Sequence, residues 1–205
     1  MVVPWVRLPR WTERFAERHP GAVWMIEPES VSVEAPDGAR ATWAVPFPPL
    51  AERTMDGLSS HLAVARDFGV LLVRRGGFAV ATARGSELAS IKIGRRHVQG
   101  RTKAGGWSQQ RFARRRANQA RQAFDAAADH AAAILAPSSL QLDLLVVGGD
   151  RVAVEQVLEH PRLVGLGVVP RQWVQVPADP RRDAVQAALA RAQSVDIEIV
   201  DPTWE

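Results

Sequence analysis

Apolar and polar residues alternate along three short runs near the N-terminus, a pattern typical of half-buried strands. The runs are Ala22–Ile26, Val31–Glu34 and Ala41–Val45. Between the last two runs lies Pro36-Asp37-Gly38, whose residue types favour a tight hairpin turn. The pattern therefore predicts a small antiparallel sheet in this part of the chain.

The segments on either side of this sheet complete an N-terminal extension. Trp11–Arg18 is predicted to form a short helix, with Thr12 as its cap. Pro46–Pro49 holds three prolines, which indicates a linker. We therefore predict a β-rich extension over residues 1–49 and a main domain over residues 50–205.

The main domain begins with a helix and a second set of strands. A helix is predicted over Leu58–Arg66, and the apolar runs Val70–Arg74 and Phe78–Thr82 flank Gly76-Gly77, which predicts a tight hairpin. Glu87–Ile93 is predicted to extend this antiparallel sheet by a third strand.

A long amphipathic helix follows. From Ser108 onward apolar residues recur at helical spacing until Pro137 ends the pattern. They are Phe112, Ala120, Phe124, Ala127, Ala131, Ile134 and Leu135. The spacing predicts one helix of about 28 residues, at the long end of the usual range.

Strands and helices alternate after this helix. The predicted strands are Leu140–Val147, Arg171–Val176 and Val195–Val200. A turn at Gly148–Asp150 leads into one helix, and Pro180–Ala192 forms the last. Antiparallel hairpins followed by alternating strands and helices predict a mixed sheet flanked by helices, an α/β (α+β) domain.

The charge is concentrated in one interval of the chain. No acidic residue occurs between Glu87 and Asp125, an interval that holds ten basic residues, whereas the rest of the chain holds 16 basic and 22 acidic residues. A local block of this size is typical of a contact with nucleic acid or the ribosome.

Composition excludes several kinds of site. The chain has no cysteine, which excludes disulfides, iron–sulfur clusters and thiolate zinc sites, and its five histidines show no ligand spacing. We therefore expect no metal and no cofactor. No apolar run reaches the length of a membrane span, so we expect a cytoplasmic protein without a membrane partner.

The candidate chemistry lies inside the basic interval. Gly105-Gly106 allow the backbone to approach a substrate closely, and Gln109 and Gln110 follow within the first turn of the predicted helix. Ser108 is predicted to cap that helix, whose free N–H groups and dipole favour an anionic ligand. Arginine matches phosphate oxygens with a planar fork of donors.

The run Lys103-Ala-Gly105-Gly106-Trp107-Ser108-Gln109-Gln110-Arg111-Phe112-Ala113-Arg114 resembles a known family. It is similar to the catalytic loop and following helix of the middle domain of eukaryotic and archaeal class 1 peptide release factors. It looks closer still to the Vms-like release factor (VLRF) domain, in its actinobacterial and chloroflexal branch. The resemblance covers about residues 95–125, and it implies an RNase H-like sheet.

The resemblance implies a function on the ribosome. The family is associated with releasing nascent peptides from tRNA on stalled ribosomes, so the expected reaction is hydrolysis of the peptidyl-tRNA ester by a positioned water, without a metal. The expected partners are peptidyl-tRNA and the RNA of the large ribosomal subunit, bound by a monomer. The residues expected to neutralise phosphates are Arg95, Arg96, Arg101, Lys103, Arg111, Arg114 and Arg115.

The chain departs from the release-factor pattern at one point. An ungapped alignment on Arg111–Arg114 places Trp107 at the position of the catalytic glutamine, and Gln109 lies two residues later. We interpret the segment as a Gly-Gly-x-x-Gln form in which Gln109 is catalytic. The alternatives are that Gln110 is catalytic, or that the loop docks on its partner without catalysing. Trp107 is expected to stack on a base or to fold over the helix start.

Three other functions stay open from the sequence. The chain could be a non-catalytic ribosome- or tRNA-binding module of the same fold, or it could cleave the acceptor end of tRNA. A metal-dependent nuclease would require converging carboxylates, for which Asp143, Asp150, Asp196 and Glu198 are available. Ordinary strand and turn roles are the simpler interpretation of these four residues.

Overall fold

The computed structural model describes residues 1–74, 77–95, 107–176 and 179–202, of which residues 107–120 are described by their backbone alone. The chain divides into two compact units. Unit 1 comprises Met1–Ala65 and the chain from Gln193 onward, and unit 2 is Arg66–Ala192.

The helices and strands are numbered along the described chain. The strands are β1 (Val2–Pro4), β2 (Val23–Ile26), β3 (Ser30–Glu34), β4 (Arg40–Ala44), β5 (Asp67–Arg74), β6 (Gly77–Arg84), β7 (Glu87–Arg95), β8 (Leu144–Gly149), β9 (Arg171–Val174), β10 (Ser194–Asp196) and β11 (Glu198–Val200). The α-helices are α1 (Leu8–Arg18), α2 (Met55–Ala63), α3 (Trp107–Ile134), α4 (Arg151–Leu158) and α5 (Arg182–Ala192), with 3-10 turns at Trp5–Arg7, Ala136–Ser138 and Pro161–Val168.

Unit 2 is built on one mixed sheet with the strand order β7-β6-β5-β8-β9. The strands β5, β6 and β7 are antiparallel, and their first hairpin pairs Arg74 with Gly77. The strands β8 and β9 continue the sheet in parallel to β5. The mixed α/β fold class predicted from the sequence is confirmed.

Helices cover both faces of this sheet. Leu71 and Val73 on β5 share a buried cluster with residues of α3 and α4. Val70 and Leu72 point to the opposite face and are also fully buried. The helix α5 packs on β5, β6, β8 and β9, and its own inner residues are buried. This burial explains why β5 and β8 are continuous apolar runs rather than alternating ones.

The strand predicted over Leu140–Val147 begins later than expected. The strand β8 starts at Leu144, and Leu140 is 93% exposed. The residues before β8 are taken up by a turn instead, since the Gln141 and Leu142 N–H groups both donate to the Ser138 carbonyl. The prediction therefore wrongly included Leu140, which is apolar but lies four residues before the buried strand.

The last predicted strand is wrong as one element. It is two short strands on either side of Ile197, which is buried and donates its N–H to the Met1 carbonyl. The strand β10 pairs with β1, and β11 pairs with β4. Both lie in unit 1, so the alternating pattern of the main sheet ends with α5.

Unit 1 contains the three predicted N-terminal strands, which form the sheet β11-β4-β3-β2. The predicted hairpin between β3 and β4 is confirmed, and its Gly38 has a φ of +90°. An aromatic cluster formed by Trp11, Trp24 and Trp43 packs α1 on this sheet, with ring centroids 5.6 and 6.1 Å apart for the two pairs with Trp43.

Two local predictions in unit 1 are wrong. The helix α1 begins at Leu8, and Thr12 is not its cap: the Thr12 hydroxyl lies inside the helix and donates to the Pro9 carbonyl over 2.7 Å. The segment Pro46–Pro49 is not a linker between two units, because it lies inside unit 1. The flanking Val45 and Leu50 are buried in the core of unit 1, and the Pro46 carbonyl accepts a 2.7 Å hydrogen bond from the His61 ring.

The compact units therefore divide at a different place from the predicted domains. Residues 50–65 belong with the N-terminal sheet, because Leu58 of α2 is part of the same core. A functional boundary after residue 49 stays a prediction.

Asp37, in the hairpin of unit 1, pairs with His19 at the end of α1. The His19 Nδ1 lies 2.7 Å from a carboxylate oxygen of Asp37, and the other oxygen accepts a hydrogen bond from the Ala39 N–H. Both interactions favour the charged carboxylate, and the contact with His19 is the larger, so the pKa of Asp37 is held below its usual value. A depressed pKa stabilises the fold above the unfolded-state value, and this contribution is lost as pH falls through the folded-state value.

Candidate functional site

The candidate site is the connection between an edge strand and the longest helix of unit 2. The strand β7 lies at one edge of the sheet and ends at Arg95, and α3 begins at Trp107. Five of the predicted site residues lie in residues 96–106, outside the described residues: Arg96, Arg101, Lys103, Gly105 and Gly106.

Arg95 is the last residue of β7, and the other predicted site residues are placed by the backbone of α3. Its first turn holds Trp107, Ser108, Gln109 and Gln110, and Arg111, Arg114 and Arg115 follow directly. Ser108 is therefore the second residue of the helix rather than the residue before it. The first four N–H groups of a helix have no partner within the helix, and they carry its positive dipole end. Gln109 thus stands on backbone that favours a developing negative charge.

The C-terminal half of α3 holds the helix on the sheet. Its inward residues are small, which brings the helix close to β6. Those that are buried are Ala123, Ala127, Ala128, Ala131 and Ala132, followed by Leu135 just beyond the helix. The C-terminal half of α3 is therefore anchored in the core, and it fixes the direction of the helix that carries the candidate site.

A contact between β7 and α3 lies next to the connection. Gly94, the last residue but one of β7, pairs with Phe78 of β6, and a Cβ on Gly94 would overlap the Phe78 ring. The same buried ring also packs near the ring of His130 on α3, with ring centroids 5.5 Å apart. This contact was not predicted from the sequence, although a glycine inside a strand pattern is a signal of close approach.

Gly94→Ala is expected to destabilise unit 2 by about 1–3 kcal/mol, because the new methyl group must displace a packed aromatic ring. The measurement is the free energy of unfolding in urea. In a Phe78→Ala background the ring is gone, so the same substitution is expected to cost less than about 0.5 kcal/mol. Equal costs in both backgrounds would show that the ring is not what Gly94 accommodates.

The described charges around the connection are positive. Lys92 and Arg95 on β7 and Arg121 on α3 are exposed, and none of the three has an ion-pair partner among the described residues. The basic interval of the sequence contains no carboxylate that could neutralise them. These side chains are available to an anionic partner.

The carboxylates considered for a metal-dependent nuclease do not come together. Asp143 and Asp150 stand at opposite ends of β8, about 20 Å apart for a strand of this length. Asp143 accepts a 2.7 Å hydrogen bond from the Asp67 N–H, and Asp150 caps α4. Asp196 and Glu198 lie in unit 1. No group of three metal-binding side chains is found within the described part of the chain.

Comparison with protein families shows which family the chain belongs to. A family model described as the Actinobacteria/chloroflexi VLRF1 release factor matches residues 66–198, which include the connection and both glutamines. The chain belongs to this family. The resemblance predicted from residues 95–125 is confirmed, and it extends over the whole mixed sheet.

Two solved structures are similar to this chain. A crystal structure of an archaeal translation termination factor, aRF1, is 17% identical with a TM-score of 0.46, and the match covers 78% of this chain and 51% of that one. The Vms1 mitochondrial localization core is 8% identical with a TM-score of 0.44, and the match covers 82% and 76%. This chain thus spans about half the length of the archaeal factor. Among curated proteins, none matches the sequence significantly.

Among the helices of the described residues, none combines the length and the hydropathy needed to cross a bilayer.

Proposed function

We propose that this member of the VLRF1 release factor family is a ribosome-associated peptidyl-tRNA hydrolase that frees nascent peptides from tRNA on stalled ribosomes. The observation that carries the proposal is the position of Gln109. It lies in the first turn of α3, separated from the Gly-Gly segment by Trp107 and Ser108, inside the range matched by the family. A monomer acting on ribosomes in the cytoplasm is part of the proposal.

The chemistry suits the residues available. The ester that joins a peptide to tRNA is already activated, so its hydrolysis requires a positioned water and donors aimed at the developing oxyanion. The amide of Gln109 can both accept a hydrogen bond from a water and donate one. The N–H groups around Gly105 and Gly106 and at the helix start can supply the oxyanion donors.

The basic residues have a separate role in this proposal. Arg95, Arg96, Arg101 and Lys103 precede the helix, and Arg111, Arg114 and Arg115 follow the glutamines. They bind phosphates of peptidyl-tRNA and ribosomal RNA, which determines affinity and its salt dependence rather than the chemical step. Trp107 stacks on a base of the substrate.

Product analysis tests the proposal. The protein is incubated with large ribosomal subunits that carry a radiolabelled peptidyl-tRNA, and both the peptide and the 3′ end of the tRNA are analysed. We expect free peptide and a tRNA with an intact CCA end. The release is expected to persist in excess EDTA when the subunits are crosslinked to remain assembled.

Two other results would indicate the alternative functions. A peptide that keeps nucleotides from the CCA end would identify cleavage of the tRNA acceptor end. Binding to the subunits without any product would identify a non-catalytic module. Either result overturns the hydrolase proposal.

A further inference from the structure

The helix α1 of unit 1 carries a row of arginines with no assigned role. Arg7, Arg10, Arg14 and Arg18 follow one another at intervals of three or four residues, which places them on one face of a helix. Arg7 continues the row because its backbone is already helical, with φ −100° and ψ −7°. All four are exposed. We call these four residues the arginine stripe.

The stripe differs from the other described arginines of unit 1 in its partners. Arg40 lies 3.3 Å from a carboxylate oxygen of Glu34, and Arg53 lies 3.5 Å from one of Glu27. No member of the stripe has an ion pair or hydrogen-bonded side chain among the described residues, although Glu13 and Glu17 lie on the same helix. Four guanidinium groups are therefore free to bind an external anion.

The stripe is not explained by the stability of α1. Carboxylates stabilise the first turn of a helix and arginines oppose its dipole there. The first turn of α1 contains no acidic residue, and Arg7 and Arg10 stand at this end. A row of positive charges that begins at the wrong end of the helix indicates a role outside it.

The opposite face of α1 decides which anionic partner fits. A helix that binds a membrane surface inserts its apolar face between lipids. Leu8, Trp11 and Phe15, the large apolar residues of this helix, pack in the core of unit 1 against the sheet. The rest of the exposed surface of α1 holds Pro9, Ala16 and the carboxylates of Glu13 and Glu17, so the four arginines outnumber the acidic residues and no large apolar face is left for lipid. A positively charged surface of this kind binds the phosphates of nucleic acid without reading sequence.

We infer that the arginine stripe of α1 is a second RNA-binding surface, which holds the phosphate backbone of ribosomal RNA. The inference rests on the proposed function, because the ribosome is what presents RNA to unit 1. Unit 1 would then have a role distinct from the chemistry of the connection in unit 2. The arginine stripe increases the affinity for the ribosome without changing the maximal rate of peptide release.

Binding to large ribosomal subunits, measured across a salt series, tests the inference. The variant is Arg10→Gln/Arg14→Gln, and the matched control is Arg40→Gln/Arg53→Gln, which removes two exposed charges from the same unit. Each phosphate contact contributes about 0.7–0.9 to the slope of log affinity against log salt, which raises the affinity at 0.1 M salt by about five- to eightfold relative to 1 M salt. We expect the stripe variant to lose about 2 in slope and at least about tenfold in affinity, and the control to behave as the wild type.

Two further measurements identify the partner. The charge-retaining variant Arg10→Lys/Arg14→Lys is expected to keep most of the slope, and circular dichroism checks that all variants fold alike. A single-stranded RNA of 20 nucleotides and vesicles of phosphatidylglycerol replace the subunits in separate titrations. The RNA is expected to reproduce the loss of slope in the stripe variant.

Several results would overturn the inference: unchanged binding of the stripe variant, equal losses in variant and control, or a loss seen with vesicles or subunits but not with RNA. The outcome is independent of catalysis. If wild-type protein released no peptide, the proposed function would fail while the binding comparison still decided the role of the stripe. At saturating protein concentration the stripe variant is expected to release peptide as fast as the wild type.

Discussion

Gln109→Ala is expected to lower the rate of peptide release by about 10²–10³, the usual effect of removing one positioned hydrogen-bonding group from an acyl-transfer site. The reason is that the amide orients the attacking water, and an alanine methyl group can neither accept nor donate a hydrogen bond. The measurement is single-turnover release of labelled peptide from large ribosomal subunits at saturating protein concentration.

Gln110→Ala is the matched control. It removes the same amide one residue later in the first turn of α3, where the helix has rotated by about 100°. We expect release within a few-fold of the wild-type rate. Both variants are expected to bind the subunits as tightly as the wild type, since neither changes a charge.

The pair of variants separates the alternatives for this segment. A large loss in Gln110→Ala together with a normal Gln109→Ala variant would assign catalysis to Gln110. Full activity in both variants would contradict a glutamine mechanism, and the release would then depend on backbone groups alone.

Gly149→Ala is expected to destabilise unit 2 by about 3–5 kcal/mol, among the larger effects of a single substitution. Gly149 ends β8 with a φ of +107°, and a Cβ would overlap the Val73 carbonyl oxygen. That oxygen cannot move away freely, because it accepts a 2.7 Å hydrogen bond from the Asp150 N–H. The free energy of unfolding in urea, followed by circular dichroism, measures the loss.

Gly85→Ala provides the control for backbone conformation. Gly85 also has a positive φ, +56°, but a Cβ there would meet nothing within 4 Å. Gly85→Ala is therefore expected to lower the free energy of unfolding by about 1–2 kcal/mol, the strain of the left-handed conformation alone. Equal costs at the two glycines would mean that the overlap with Val73 contributes nothing.

The close approach of β5 to Gly149 could not be predicted from the sequence. The pair Gly148-Gly149 was predicted as a simple turn, but both residues belong to β8, and Asp150 then caps α4 through the Val152 and Ala153 N–H groups. Local residue types indicated a break between a strand and a helix. They carried no information on how closely β5 approaches that break.

Within unit 2 the order of elements was predictable because each one carries its own periodicity. The long helix α3 matches its predicted span closely, since its apolar spacing persists over many turns. The basic interval and the Gly-Gly segment with its glutamines were equally visible, because they are properties of consecutive residues. Their similarity to release factors agrees with the family match over residues 66–198.

The sequence by itself thus determined the mixed α/β class, the order of the main strands and helices, the position of the candidate site and the family. Only the tertiary structure decided that β10 and β11 leave the main sheet for unit 1, that the residues on either side of Pro46–Pro49 share one packed core, and that Phe78 packs near both Gly94 and His130. The physical reason is that these features are made by backbone pairing and side-chain contacts between residues far apart in the chain. Periodicity records which side of an element is buried, but not the segment that buries it.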